Sequence, residues 1–131
     1  MANAITKQTI IDGSRLLIVK IHIDGDGSGE ETGTVLVDAS TYSPAYTDCR
    51  LKSLHANLSG FTCDLSWDAT APVIITNIPD YEVSWDDSET LARTGGVPNN
   101  AGTGKTGDIL ITTIGLGAGD HGTFVFELVK K

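Results

Sequence analysis

Basic charge is what this chain has least of. Nine Lys and Arg stand against 17 Asp and Glu in 131 residues, a formal net charge of −8. Such a surface repels a phosphate backbone, which argues against direct DNA or RNA binding. Long apolar runs are missing as well. Nothing approaches the ~20 residues of a membrane helix, and the opening MANAITKQTI lacks the apolar centre of a signal peptide. The expectation is a chain made and folded in a cytoplasm, with no membrane partner. Helical periodicity is also absent: no long segment repeats its apolar positions every ~3.6 residues. Cysteine is scarce, with only Cys49 and Cys63, so no disulfide framework is implied.

What is present belongs to strands and turns. The chain is 40% hydrophobic and carries 15 glycines, a globular mixture of one-domain length (1–131) that favours strands joined by turns. The clearest stretch runs from Leu51 to Trp67. Phe61, Cys63, Leu65 and Trp67 alternate with Thr62, Asp64 and Ser66, and Leu54, Ala56 and Leu58 alternate with His55 and Asn57. Strand side chains point to opposite faces at every second residue, so one face here is buried. With Ser59-Gly60 as a two-residue turn, Leu58 faces Phe61, Ala56 faces Cys63, Leu54 faces Leu65, and His55 pairs with Asp64. That register sets Cys49 roughly 23 Å from Cys63 along the sheet, beyond disulfide reach; both are expected to be reduced, with Cys63 buried.

Other segments fit the same scheme. Residues 4–11 read as an edge strand carrying Lys7 and Gln8, and 15–23 as a second strand with Leu17, Val19, Ile21 and Ile23 on one face. Residues 34–38 read as a third strand antiparallel to the second; Val73 to Ile78 and residues 81–85 add short ones. Residues 108–116 and 121–129 read as a closing hairpin, with Thr113 facing Phe124, Ile111 facing Phe126 and Ile109 facing Leu128. Lys130-Lys131 reads as the exit to solvent. The aperiodic stretch 90–107, with five glycines, reads as a long functional or mobile loop. About eight short strands separated by turns predict an all-β, antiparallel β-sandwich of jelly-roll type.

Several stretches invite chemical readings. Gly104-Lys105-Thr106 resembles the end of a phosphate loop, but Asn99 stands where the first glycine belongs and a strand follows instead of a helix. Asp24, Asp26 and Ser28, with Gly29, match the first half of a calcium loop, so Ca2+ is the one cofactor to consider. Val35 occupies the position of the bidentate Glu, leaving Glu30 and Glu31 as substitutes. Asp80, Glu82, Asp86, Asp87 and Glu89 form an acidic run better read as a solvated face, or a patch meeting a basic partner, than as a catalytic pair. His22, His55 and His121 are scattered, and no Ser-His-Asp, Cys-His or zinc-ligand cluster stands out. The Trp67-Asp68 and Trp85-Asp86 pairs are too close for propeller repeats; Trp67 reads as core, and Trp85 as core or interface. An enzyme has no positive support.

VKIHIDGDGSGEETGTVLVD, LSGFTCDLSWDA and GVPNNAGTGKTGDILITTIGLGAGDHGTFVFELVKK resemble small virion structural proteins of tailed bacteriophages. The likeness spans most of the chain but includes no catalytic motif, so no site residue carries over. It implies a capsid decoration (cement) protein, β-rich, often trimeric, bound to the major capsid protein on the outside of the head. Under that reading Tyr42 and Tyr46, exposed beside Pro44, serve as interface anchors. Residues 1–9, Ile5 and Thr6 among them, would lie across an adjacent subunit as an added strand. The alternative is a carbohydrate- or receptor-binding β-sandwich module of a phage fibre, with or without a requirement for calcium in its binding.

Overall fold

The computed structural model describes residues 3–42, 44–80, 82–85 and 97–130, with the side chains of 83–85 and 98 left aside. Alternation of apolar and polar residues produces ten strands: β1 (Ala4–Asp12), β2 (Leu16–Asp24), β3 (Thr34–Val37), β4 (Cys49–Ser59), β5 (Thr62–Trp67), β6 (Val73–Ile78), β7 (Glu82–Trp85), β8 (Val97–Pro98), β9 (Ile109–Ile114) and β10 (His121–Lys130). They form two antiparallel sheets. The larger has the order β1-β2-β10-β4-β7, with β8 also paired to β4; the smaller has the order β3-β9-β5-β6.

That order is a jelly roll. The chain behaves as one ribbon of antiparallel pairs, with β5·β6 at its tip, then β4·β7, β3·β9 and β2·β10. Wrapping the ribbon sends alternate pairs to alternate sheets, which gives the two interlocked Greek keys of this fold. Eight strands make the roll; β1 extends the larger sheet as its edge, and β8 continues the line of β7.

Both hairpins expected from the sequence are corrected by this topology. β4 lies in the larger sheet and β5 in the smaller, so Ser59-Gly60 is a crossing between sheets and not a hairpin turn. Likewise β9 pairs with β3 and β5, whereas β10 pairs with β2 and β4. The residues expected to face each other do point into the same core, but from opposite walls. His55 and Asp64 consequently lie on opposite outer surfaces and form no pair. β3 also belongs to the other sheet from β2, where it pairs with β9.

The walls meet in one dry layer. Leu17, Val19, Ile21, Ile23, Leu54, Ala56, Phe124, Phe126 and Leu128 come from the larger sheet, and Cys63, Leu65, Trp67, Ile78, Ile109 and Ile111 from the smaller; all are at most 1% exposed. Phe124 opposes small Ala56, and its ring stacks on Phe126 at 5.8 Å. Burying each of the Val, Leu, Ile and Phe side chains among them contributes about 1.5–3 kcal/mol. Gly122 leaves room for the close packing here: a Cβ at that position would press on the end of Leu58 and the Phe61 ring, which would have to shift. The Ser59-Gly60 crossing is clasped from outside: the Gly60 N–H donates to Asp80 Oδ1 at 2.9 Å, and the φ of +94° at Gly60 suits glycine.

Cys49 and Cys63 are both buried and unpaired, one in each sheet. Lys130, expected at the exit to solvent, is only 3% exposed. Its ammonium donates to Asp12 Oδ1 at 2.6 Å and to the Gly13 carbonyl at 2.8 Å, tying the last strand to the β1–β2 turn. Of residues 1–9, Met1 and Ala2 lie outside the described residues, and from Ala4 onward β1 pairs with β2 of its own chain. Asn3 adds a staple, its amide donating to the Gly29 carbonyl and to Glu31 Oε2. Among the described residues no helix is long and apolar enough to cross a membrane.

Candidate functional site

With the interior filled, a recess lies outside it among the described residues, where loops gather beside the β3 and β9 ends. It is an open cleft of about 580 Å³ lined chiefly by Asp38, Ser40, Tyr46, Thr47, Lys105 and Asp108. Asp38 ends the apolar run of β3 and caps a short 3-10 turn at Ala39–Thr41, accepting from the Ser40 N–H at 3.1 Å and the Ser40 hydroxyl at 2.7 Å. A short polar side chain that bonds two residues ahead turns the chain sharply. Asp108, just before β9, accepts from the Ala39 N–H at 2.8 Å and fixes the turn against the smaller sheet.

The two carboxyls are tuned in opposite directions. The Ser40 hydroxyl and N–H hold Asp38 below the usual carboxylate range. Burial pushes Asp108 up, and the neighbouring charges of Asp38 and Asp68 add to it against the Ala39 N–H. Lys105 pairs with Asp48 at 3.3 Å, and the Thr106 hydroxyl donates to Asp68 Oδ2 at 2.9 Å. The Gly104-Lys105-Thr106 segment is therefore a braced connection into β9, with a strand after it. Hydroxyls, carboxylates and an ammonium around this recess are groups suited to binding a polar ligand; no histidine or cysteine lines it.

The tyrosines depart from expectation. Tyr46 is 6% exposed and belongs to the core, with the Lys130 ammonium 6.0 Å from its ring centroid. Its hydroxyl is buried without a hydrogen-bond partner among the described residues, and burial pushes its ionisation far up. Tyr46 is therefore not an exposed anchor. Tyr42 is half-buried against the core, and Pro44 is exposed beside it. Ile5 packs on the core opposite Ile23, and Thr6 is exposed opposite His22.

The acid-rich loop after β2 is occupied by the fold. Asp24 lies 3.1 Å from His22 Nε2. Asp26 Oδ1 accepts from the Ser28 N–H at 2.9 Å, and its carboxyl sits below the usual range chiefly through the Ser28 hydroxyl and N–H. Glu30 is turned to the far side, where it accepts from the Thr113 hydroxyl and the N–H groups of Gly115 and Leu116. Glu31 accepts from Asn3 and the Thr34 hydroxyl. Among the described residues no group of three or more His, Cys, Asp or Glu gathers to hold a metal ion. Asp24, Asp26 and Ser28 are neighbours in the chain, but the Asp24 carboxylate meets His22 and the Asp26 carboxylate accepts from Ser28, so the two serve separate structural bonds.

Of the acidic run, Asp80 clasps the Gly60 crossing and Glu82 is exposed at the start of β7; Asp86, Asp87 and Glu89 lie outside the described residues, as does the side chain of Trp85. Trp67 is core, as expected. The three histidines share the outer face of the larger sheet, His22 and His121 with ring centroids 6.4 Å apart. Sequence reasoning missed the Asp38–Asp108 turn and the Lys130 clasp. The Asp38-Ala39-Ser40 spacing was a readable cap signal; nothing local marked Lys130.

No family model matches the chain, and no curated protein does. Among solved structures, a cupin superfamily protein from Desulfitobacterium hafniense DCB-2 is similar, with 10% identity and a TM-score of 0.36 over 99% of this chain and 80% of that one. The assignment of a jelly roll rests on the strand order of this chain itself.

Proposed function

We infer that this protein is a non-enzymatic virion structural protein that decorates the outside of a tailed-phage head, binding the major capsid protein and associating with copies of itself. The observation that carries the reading is the filled interior. The inward positions of both walls hold packed apolar side chains, Trp67, Phe124 and Phe126 the largest, so the outer surface is what remains to meet another molecule. Jelly rolls serve as capsid and lectin domains alike, and the fold alone does not choose. The resemblance to phage virion proteins favours the first. Purified protein is expected to co-sediment with undecorated heads and to be present in many copies per particle by gel densitometry. Failure to bind heads, or a few copies only, would overturn the reading.

The polar cleft beside Asp38 and Asp108 favours a second reading, a carbohydrate- or receptor-binding module of a fibre. Binding of oligosaccharides in a glycan array, lost on Asp38→Ala, would support it. A calcium-dependent version requires EDTA to lower thermal stability, since a ligand held only by the folded state raises it.

A further inference from the structure

The larger sheet ends on an open edge. β1 stands first in its strand order, so among the described residues no strand pairs with the far side of Ala4–Asp12. The ladder shows which backbone groups face out. The Gly25 N–H donates to the Asp120 carbonyl, and Asp24 stands opposite His121, so odd residues of β2 bond to β10 and even ones to β1. The Gly13 N–H, which donates to the Leu16 carbonyl, fits the same count. In the β1·β2 register, Ala4, Thr6 and Gln8 therefore bond to Asp24, His22 and Lys20, and the N–H and C=O groups of Ile5, Lys7 and Thr9 point away from the sheet. Among the described residues no hydrogen bond reaches those outward groups.

An unpaired row of this kind is normally blunted by a short strand, by proline or by a charge aimed along it. β3 and β7 have four residues each, and β6 runs between Pro72 and Pro79. β1 has nine residues and no proline. Its one charge before Asp12, Lys7, is turned across to the smaller sheet, where the ammonium donates to the Val35 carbonyl at 3.4 Å. A small recess of about 120 Å³ opens beside the edge on the outer face, lined by Thr6, Gln8, Lys20 and His22. His22 is engaged by Thr123 and Asp24. The Lys20 ammonium, the Gln8 amide and the Thr6 hydroxyl have no partner among the described residues. Further along the strand, Ile10 and Ile11 are 51% and 42% exposed.

We propose that this edge takes up an extended, acid-bearing segment of the major capsid protein as an added strand of the larger sheet. The chemistry selects the occupant. Outward N–H and C=O groups at alternate residues are matched by an extended backbone. The hydroxyl, amide and ammonium beside them can all donate, a set suited to a carboxylate. An added strand runs roughly 10 Å from β2, a gap that the Lys20 stem and a Glu side chain of the newcomer close between them over Gln8. Ile10 and Ile11 give it an apolar contact at the far end. A second copy suits the edge badly: β1 against β1 brings two Lys7 and two Lys20 together, with no acid on residues 4–11 to separate them. The inference deepens the capsid binding proposed above and rests on that reading; it names the surface that meets the shell.

Co-sedimentation of the full chain with undecorated heads, over a concentration series, tests it. Lys7→Pro removes one outward N–H and leaves the ladder to β2 intact, whereas Lys7→Thr removes the same ammonium and keeps the N–H. The proline variant is expected to bind at least about tenfold more weakly, because it strands a carbonyl of the partner, and the threonine variant like wild type. Lys20→Glu is expected to weaken binding by a similar factor, and Lys20→Arg to keep it. Circular dichroism and the melting point identify a variant that fails to fold. Hydrogen exchange needs no substitution: the amides of Ile5, Lys7 and Thr9 should exchange more slowly on heads than in the free chain. Wild-type binding by Lys7→Pro, or unchanged exchange at those amides on heads, overturns the docking and leaves the function standing. Self-association abolished by Lys7→Pro, with head binding untouched, gives the edge to a second copy and equally overturns it. A wild-type chain that binds no head overturns both.

Discussion

Removing either half of the Lys130–Asp12 pair should destabilise the fold, and by unequal amounts. The ammonium is 3% exposed and the carboxylate 25%. Asp12→Ala leaves a buried cation with the Gly13 carbonyl and the Tyr46 ring nearby. An ammonium stranded away from water costs about 3–5 kcal/mol. Lys130→Met replaces the cation with an apolar chain of similar reach and leaves a carboxylate that water can touch, a loss of about 1–2 kcal/mol. In urea, where a domain of this size has a slope of about 1–3 kcal/mol per molar, the first change should lower the midpoint by roughly 2 M and the second by less than half of that. The double variant should be more stable than Asp12→Ala alone, since it no longer buries an unmatched charge. Equilibrium unfolding followed by circular dichroism reads all three. A Lys130→Met loss equal to that of Asp12→Ala, or a double variant weaker than Asp12→Ala, would refute the burial argument.

Three further outcomes follow from the same geometry. Glu30 is held below its ordinary range by the Thr113 hydroxyl first and then by two N–H groups, so its contribution is present above the ordinary carboxylate range and lost as pH falls through its folded value. Glu30→Gln should therefore melt below wild type at pH 7, the gap closing in acid. Asp108 has the opposite sign: raised chiefly by burial, it stabilises fully only below its unfolded value, and that contribution disappears as pH rises through the folded one. Asp108→Asn, which still accepts from Ala39, should thus melt above wild type at pH 7, and a lower melting point there would contradict the sign. Burial pushes the Cys49 and Cys63 thiols up to about 12, so neither should react with a disulfide reagent at pH 8 until denaturant is added, as a thiol titration would show.

The wall-and-solvent alternation was legible residue by residue. Leu54, Ala56 and Leu58, and Phe61, Cys63, Leu65 and Trp67, were each placed inward, and each is buried. What misled was the step from shared face to shared sheet. An inward residue on β4 has the same alternation whether the next strand lies beside it or across the core, and glycine with positive φ suits a tight turn and a sheet crossing equally. The loop from Ala39 to Asp48 has no period at all, which is why the burial of Tyr46 could not be anticipated. The cleft followed the same rule: its Asp38 cap was written locally, while Asp108 comes from a strand 70 positions on and meets it only through β3·β9 pairing.

Local order thus settled the strands and their inward faces, because a period of two is a property of neighbouring residues. Folding settled which strand lies beside which, the sheet each one joins, and the burial of Lys130 and Tyr46. Those depend on β10 inserting between β2 and β4, a contact between distant segments whose choice is made by packing the whole core at once.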